Sequence, residues 1–243
     1  MGMSSNDPAL LLIASEAREF RGILRNCGNS VRLNWPVDFA QSAVWNRDRV
    51  VMVANGPGFR LASIAAEIAG EKERFRAVVS TGFCGGLDPA LQVGDIVEVS
   101  SVIDVDSRTE FGCEAPRVAG GAATRGSLAS VDRVAETSSE KADLRARTGA
   151  AAVEMEAAAV ARFAVSRSLP FYCLRVISDT AGHSFDIHLN DMRDQDGRFA
   201  KGRIVLEALR RPWSRIPGLM RLDRDCKLAE DRLGEFFANC NFA

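Results

Sequence analysis

Three patterns that identify common chemistries are missing from the sequence. The six cysteines are scattered and form no CxxC pair, which argues against a zinc ribbon or a disulfide framework and favours a reducing cytoplasm. The glycines are not spaced as GxGxxG, so a nicotinamide or flavin oxidoreductase is a poor match. The formal net charge is only -1, which leaves no electrostatic footprint for nucleic acid.

Long apolar runs are missing too. The first apolar run, residues 9–14, is too short to span a bilayer, lacks a basic leader and is not followed by a small-residue cleavage site. We therefore expect neither export nor a transmembrane anchor. With 243 residues, 47% of them hydrophobic and 26% charged, the chain is predicted to be a soluble globular protein.

Apolar runs alternate with helical patterns along the chain. Runs bounded by turn residues predict buried strands, and Ala-rich segments between them have helical spacing. This alternation predicts an α/β fold, a single-domain three-layer sandwich whose central twisted, mostly parallel sheet is flanked by helices. The catalytic domain is expected at residues 8–200. The polar stretch 106–124 is interpreted as a loop or flap.

Three segments at the ends of strand-like runs carry the chemistry. A Gly-rich turn, residues 81–87, follows the run 77–80. Val153-Glu154-Met155-Glu156-Ala157 and Arg175-Val176-Ile177-Ser178-Asp179 then place carboxylates at the ends of two later apolar runs. Carboxylates at the ends of adjacent buried strands predict an acidic, buried site.

In this order, the three segments resemble the nucleoside phosphorylase and methylthioadenosine/S-adenosylhomocysteine nucleosidase superfamily, from about residue 10 to residue 189. The resemblance implies cleavage of the N-glycosidic bond of a purine nucleoside, with adenine the expected base. It implies a homo-oligomer that binds a small-molecule nucleoside. No metal or redox cofactor is implied, and phosphate would be a co-substrate in the phosphorylase branch.

The resemblance assigns roles to the acidic segments. Asp179 would donate a proton to the leaving base, and Ser178 would orient that carboxyl or contact the base. Glu156 would bind the ribose hydroxyls, Met155 would pack on the sugar, and Glu154 matches a further acid of the family. Without the resemblance, Ser178 and Asp179 cap a helix and the glutamates are first-turn acids at a helix N-terminus. That second interpretation explains one acid more easily than a buried pair.

The Gly-rich turn and a later aromatic complete the expected binding site. Gly82, on the phosphate side, and Gly85 let the backbone approach a ligand closely. Phe83 stands where nucleosidases carry a small polar residue, and Cys84 is interpreted as a packing residue rather than a nucleophile. Phe185 belongs to a Ser-Phe-Asp segment that resembles the start of a closing helix.

The sequence differs from the nucleosidases at the residue that would activate the nucleophile. Their run after the first strand reads Ala-Met-Glu-Glu-Glu, whereas here it reads Ala14-Ser15-Glu16-Ala17-Arg18. Aligned without a gap, the last glutamate falls on Arg18, which cannot act as a base but suits a phosphate. We therefore expect phosphorolysis with Arg18 as phosphate ligand. Hydrolysis with Glu16 as base is the first alternative, and a non-catalytic nucleoside-binding protein is the second.

Residues 201–243 are predicted to form a basic helical C-terminal tail, broken at Pro212 and Pro217. Together with residues 130–156, this tail is similar to the hopanoid-associated phosphorylases, which act on an adenosylated lipid. Two interpretations stay open for it: a solvated cap on the domain, or a surface for peripheral membrane contact.

Overall fold

The computed structural model describes residues 8–186, 188–195, 197–199 and 212–242. The strands are β1 Ala9–Ala14, β2 Gly28–Arg32, β3 Phe39–Trp45, β4 Asp48–Ala54, β5 Phe75–Gly86, β6 Ile96–Asp104, β7 Thr109–Gly112, β8 Arg117–Val118, β9 Thr124–Ser130, β10 Ala152–Glu154, β11 Phe171–Asp179 and β12 Cys240–Asn241. The helices are α1 Arg21–Leu24, α2 Phe59–Lys72, α3 Ser138–Thr148, α4 Ala157–Ser166 and α5 Pro212–Phe237. Two 3-10 turns, Ala17–Phe20 and Asn190–Met192, complete the described elements.

Residues at both ends of helix α3, the helix that contains Lys141, fix where it begins and ends. The Thr137 side chain accepts a hydrogen bond from the Glu140 amide, and the Glu140 side chain accepts one from the Thr137 amide, forming a capping box. Gly149 ends the helix in the left-handed conformation with φ 69°. The helix therefore begins and ends where its own sequence dictates.

The sheet is mixed, which corrects the prediction of a mostly parallel sheet in a three-layer sandwich. Among the described residues, five of its ten strand pairings are antiparallel. Strand β10 pairs with both β9 and β5, so β5, β11, β6, β9 and β10 close into a ring. The α/β class is confirmed, but one side of the sheet curls into a barrel-like structure instead of staying open.

The stretch 106–124 is not the structureless loop that was predicted. Strand β7 pairs antiparallel with β6, and β8 pairs with β12 near the end of the chain. The segment is polar because these short strands lie at the surface and bury little of their side chains.

Side chains of β1 alternate between two apolar clusters, one on each face of the sheet. Leu11 and Ile13 pack with the alanines of α2 and α4. Leu10 and Leu12 pack on the other face with α1 and α5 residues, including Ile23. Alternate residues of a strand point to opposite faces, so a continuous apolar run is buried on both.

Helix α5 is part of this core rather than a separate appendage. Its residues Ala229, Leu233 and Phe237 are buried against the sheet. Pro217 lies inside the helix, so the break predicted there is absent. Residues 201–211 of the predicted tail lie outside the described residues. In the part of the chain that is described, no helix is long and apolar enough to cross a membrane.

Two glycines let α5 cross α1 at backbone contact. A Cβ on Gly22 would lie 1.9 Å from the carbonyl oxygen of Glu230, and one on Gly234 would lie 2.4 Å from the backbone of Gly22. Neither position therefore has room for a side chain while the crossing keeps its present geometry.

Gly22→Ala is expected to destabilise the fold by about 1–3 kcal/mol, because the overpacked crossing outweighs the helix propensity that alanine adds. Urea unfolding followed by circular dichroism measures this. Gly28→Ala is the matched control, since a Cβ there meets nothing within 4 Å. Equal stability of the two variants would contradict the close crossing.

Candidate active site

A cavity of about 230 Å³ lies where the parallel strands β1, β5 and β11 end together. Such an edge, at the carboxyl ends of parallel strands, is where α/β proteins usually bind ligands. A larger cavity of about 570 Å³ lies beside α3, but the buried ionisable groups converge on the smaller one. We therefore take the smaller cavity as the candidate site.

The predicted residues lining this cavity are Phe83, Cys84, Gly85, Glu154, Met155, Glu156, Ser178, Asp179 and Phe185. The lining residues that the sequence did not single out are Ser15, Glu19, Pro57, Arg133, Val134, Ala135, Lys141, Val153, Leu189, Phe199 and Leu222. Two of these, Glu19 and Lys141, are buried and ionisable.

Arg175 is fully buried and ties together three strands. Its guanidinium donates hydrogen bonds to the Thr81 carbonyl at 2.5 Å, to Ser80 Oγ at 2.7 Å and to Glu154 Oε2 at 2.6 Å. Burial alone lowers the pKa of Arg175, but Glu154 and the other nearby acids outweigh it and raise the pKa. The site therefore holds a fixed positive charge.

The carboxylates of Glu154 and Glu156 make different contacts. Glu154 Oε2 accepts hydrogen bonds from the amides of Glu156 and Ala157 at 2.9 and 2.8 Å, which satisfies the first turn of α4. Glu156 Oε1 accepts from the Gly58 amide at 2.7 Å, and its side chain lines the cavity. The helix-terminus interpretation thus fits Glu154, and Glu156 is the acid available to a ligand.

Glu156 is buried, and no cation among the described residues forms an ion pair with it. Burial, and after it the repulsion from Glu154, raises the pKa of Glu156 to about 8. Arg175 and the Gly58 amide oppose this shift but do not cancel it. At neutral pH, Glu156 is therefore close to its titration point.

Glu19 is the site residue that sequence reasoning missed. It lies in the 3-10 turn after β1, and its carboxylate accepts hydrogen bonds from the amides of Ser15 at 2.8 Å, Glu16 at 2.9 Å and Phe83 at 2.7 Å. Burial raises its pKa despite these bonds. The ungapped alignment places the family glutamate on Arg18, one residue before Glu19. The signal available in the sequence was the Glu19-Phe20 pair, an acid directly before a large apolar residue.

Three predicted residues do not line the cavity. Arg18 points away from it, and its guanidinium binds Glu230 and, at 2.8 Å, Asp223 of α5. Glu16 is the N-cap residue of the 3-10 turn and is only half-buried. Gly82 lies against Glu19, since an added Cβ would be 2.4 Å from Glu19 Oε1. A carboxylate thus occupies the place where a phosphate oxygen was expected.

Asp179 ends β11 in a network of its own. Ser178 Oγ lies 2.9 Å from Asp179 Oδ1 and 3.2 Å from the carbonyl oxygen of Cys84, and its hydroxyl can donate to either. Lys141 of α3 donates to Asp179 Oδ2 and, at 2.8 Å, to the carbonyl of Thr180. Both oxygens of the carboxylate therefore have a donor within hydrogen-bond distance.

Cys84 is a buried packing residue, as predicted. Burial raises the pKa of its thiol well above the ordinary value, so the reactive thiolate is disfavoured. Its Sγ lies 3.5 Å from the carbonyl of Val176. Among the described residues, no group of three or more metal-ligating side chains is placed to hold an ion.

A family model described as the phosphorylase superfamily matches residues 37–124 and 113–210, well over half of the chain. The chain belongs to the phosphorylase superfamily. Two relatives are named 5'-methylthioadenosine/S-adenosylhomocysteine nucleosidase. That of Colwellia psychrerythraea is 31% identical over 58% of this chain and 72% of the relative, and that of Thermotoga maritima is 26% identical over 71% and 85%.

Solved structures share the fold of this superfamily member. The nucleosidase of Neisseria meningitidis, in complex with methylthio-immucillin-A, has a TM-score of 0.71 at 21% identity, covering 96% of this chain and 98% of its own. A futalosine hydrolase mutant of Helicobacter pylori has a TM-score of 0.69 at 15% identity, covering 95% and 96%.

For this phosphorylase-superfamily chain, Glu156→Gln is expected to stabilise the fold at alkaline pH. Between the ordinary carboxyl pKa of about 4.3 and the folded value, the folded state keeps a proton that the unfolded state has lost, so the free energy of unfolding falls as pH rises. Glutamine does not titrate. Relative to wild type, the variant should gain about 4 kcal/mol between pH 5 and pH 9, because each pH unit between the two pKa values changes the free energy of unfolding by about 1.4 kcal/mol.

Thermal unfolding at pH 5 and pH 9 measures this gain. Glu71→Gln, an exposed position on α2, is the control and should track the wild type. Parallel pH profiles for wild type and Glu156→Gln would contradict the raised pKa.

Proposed function

We propose that this protein hydrolyses the N-glycosidic bond of an adenine nucleoside. The observation that carries the proposal is the buried Glu19 carboxylate, which lines the cavity beside Phe83 and close to Arg175. A carboxylate with a raised pKa is a stronger base, and a base is what a water nucleophile requires.

The relatives support the same reaction. Those compared are named nucleosidases, and a structural neighbour is named a hydrolase, so hydrolysis fits them better than the phosphorolysis expected from Arg18. The position of Arg18, bound to acids of α5, gives phosphate no ligand there.

The acids lie at two ends of the cavity. Glu19 accepts a hydrogen bond from the Phe83 amide, whereas Asp179 Oδ2 lies 3.0 Å from the position of a Cβ on Gly85. Residues 83 and 85 of an extended strand are about 7 Å apart, so the two carboxylates contact different parts of β5. Water at Glu19 and a leaving base at Asp179 would therefore flank one sugar carbon.

Glu156 lies on the cavity wall as the ribose ligand. Its oxygens can accept hydrogen bonds from both ribose hydroxyls, and in its ionised form the carboxylate stabilises the positive charge that develops on the sugar as the base departs. Met155, the neighbouring cavity residue, supplies apolar contact for the sugar.

The base would bind between Asp179 and Phe185. Val134 lines the same part of the cavity, and its backbone is held by two hydrogen bonds with Asn190. Phe185 lines the same cavity, with its backbone amide bound to Glu136. Its ring can provide an aromatic face for the purine.

Adenine should be released from methylthioadenosine, S-adenosylhomocysteine or adenosine at the same rate with and without phosphate. The sugar product should be a free reducing sugar, since water is the nucleophile. Chromatography of both products measures this. A strict requirement for phosphate, with a sugar 1-phosphate as product, would instead establish phosphorolysis.

Glu19→Gln should lower kcat by about 10²–10⁴-fold, the usual contribution of a general base. Glu16→Gln is the matched control three residues away and should stay close to wild type, because Glu16 does not line the cavity. The opposite ranking of the two variants would transfer the role of base to Glu16.

A further inference from the structure

The leaving-group end of the cavity holds a buried cation that the proposed mechanism has not used. Lys141 is 1% exposed, lines the cavity and donates to Asp179 Oδ2. A lysine is almost never buried so completely unless it is paired. Its partner here is the acid proposed to protonate the base.

The hydrogen bonds around Asp179 bring one donor against its carboxyl group in every arrangement. The Lys141 ammonium donates to Oδ2, while Oδ1 lies 2.9 Å from Ser178 Oγ, which also lies 3.2 Å from the Cys84 carbonyl oxygen. A hydroxyl has one proton to donate, so Ser178 serves either acceptor, whereas the ammonium donates to Asp179 in both cases. Lys141 is therefore placed to pass a proton to Asp179.

Lys141 is held firmly in place for such a role. It lies in the first turn of α3, whose start is fixed by the capping box and whose Leu144 packs in a small apolar cluster. A second ammonium hydrogen bond goes to the Thr180 carbonyl at 2.8 Å, and the ammonium lies 5.8 Å from the centre of the Phe185 ring.

We propose that Lys141 supplies the proton that Asp179 delivers to the departing purine. This inference rests on the proposed function. As the bond between the sugar carbon and the purine nitrogen breaks, its electron pair leaves with the purine. A proton passes from the Lys141 ammonium to Asp179 and from Asp179 to the purine. Water adds to the sugar carbon and loses its proton to Glu19, and exchange with solvent then returns a proton from Glu19 to Lys141.

Other charged groups near Lys141 are already engaged or lie elsewhere in the cavity. On its own helix, Glu140 binds Arg133, and Arg145 binds Asp88. Further charged residues around the two neighbouring cavities and their rims are Glu19, Asp106, Asp132, Glu136, Asp143, Arg147, Glu154, Glu156 and Arg175. Among the described residues, Lys141 is the one whose side-chain nitrogen contacts Asp179.

The first test compares two leaving groups in Lys141→Met and Lys141→Arg. Adenine needs a proton to leave, whereas 4-nitrophenolate leaves as an anion. On adenosine, both variants should lose about 10²-fold or more in kcat, since arginine keeps the charge but does not release a proton. On 4-nitrophenyl riboside, both should stay close to wild type.

A purely structural ion pair gives different results. Rescue of adenosine turnover by Lys141→Arg, or equal losses on the two substrates, would overturn the proposal. Lys72→Met, an exposed lysine at the end of α2, is the matched control and should match wild type on both substrates.

A second test needs only the wild-type protein and applies if the variants fail to fold. Release of adenine should fall at alkaline pH, while release of 4-nitrophenolate should not fall with it. Coincident pH profiles would overturn the role of Lys141. Wild type that releases no base from any nucleoside would instead refute the proposed function itself.

Discussion

The arrangement of the site depends on one buried cation that faces three buried carboxylates. Arg175 binds Glu154 directly and leaves Glu19 and Glu156 without a cation in direct contact. Because burial penalises a charge that is not paired, these two acids have raised pKa values. This shortage of positive charge lowers the free energy of unfolding at high pH. It also makes Glu19 a stronger base and keeps the pKa of Glu156 close to neutral pH. Stability is reduced here in favour of reactivity.

The backbone at Gly82 makes that cluster possible. Its φ of 128° is a conformation that other residues rarely adopt, and an added Cβ would lie 2.4 Å from Glu19 Oε1 and 3.0 Å from Arg175 Nη1. A side chain at this position would separate Glu19 from the floor of the cavity. The Gly-rich turn therefore lets Glu19, which follows β1, lie close to Arg175 of β11 and to its partner Glu154 of β10.

The residues at the strand ends were predictable from sequence, whereas those that depend on folding were not. Glu156 and Asp179 follow apolar runs, so their convergence at one sheet edge needed only the direction of parallel strands. Glu19 could not be placed by counting, because a 3-10 turn, unlike a regular helix, changes which residue faces back towards the sheet. Lys141 was missed because it is close to Asp179 only in the fold, 38 residues away in sequence.

The ring closure of the sheet could not be predicted from the sequence. Strand β10, which closes the ring, has only three residues, too few to give a periodic pattern.

Helix α5, near the end of the chain, contacts the turn that carries Glu19. Glu19 lies between Arg18, which binds Glu230 and Asp223 of α5, and α1, which meets α5 at Gly22 and Gly234. Leu222 of the same helix lines the cavity. Any shift of α5 would therefore move a cavity wall and the turn that carries Glu19 together. This coupling also explains the charge of Arg18: a guanidinium at that position holds the helix to the turn, and the carboxylate that lines the cavity belongs to the next residue.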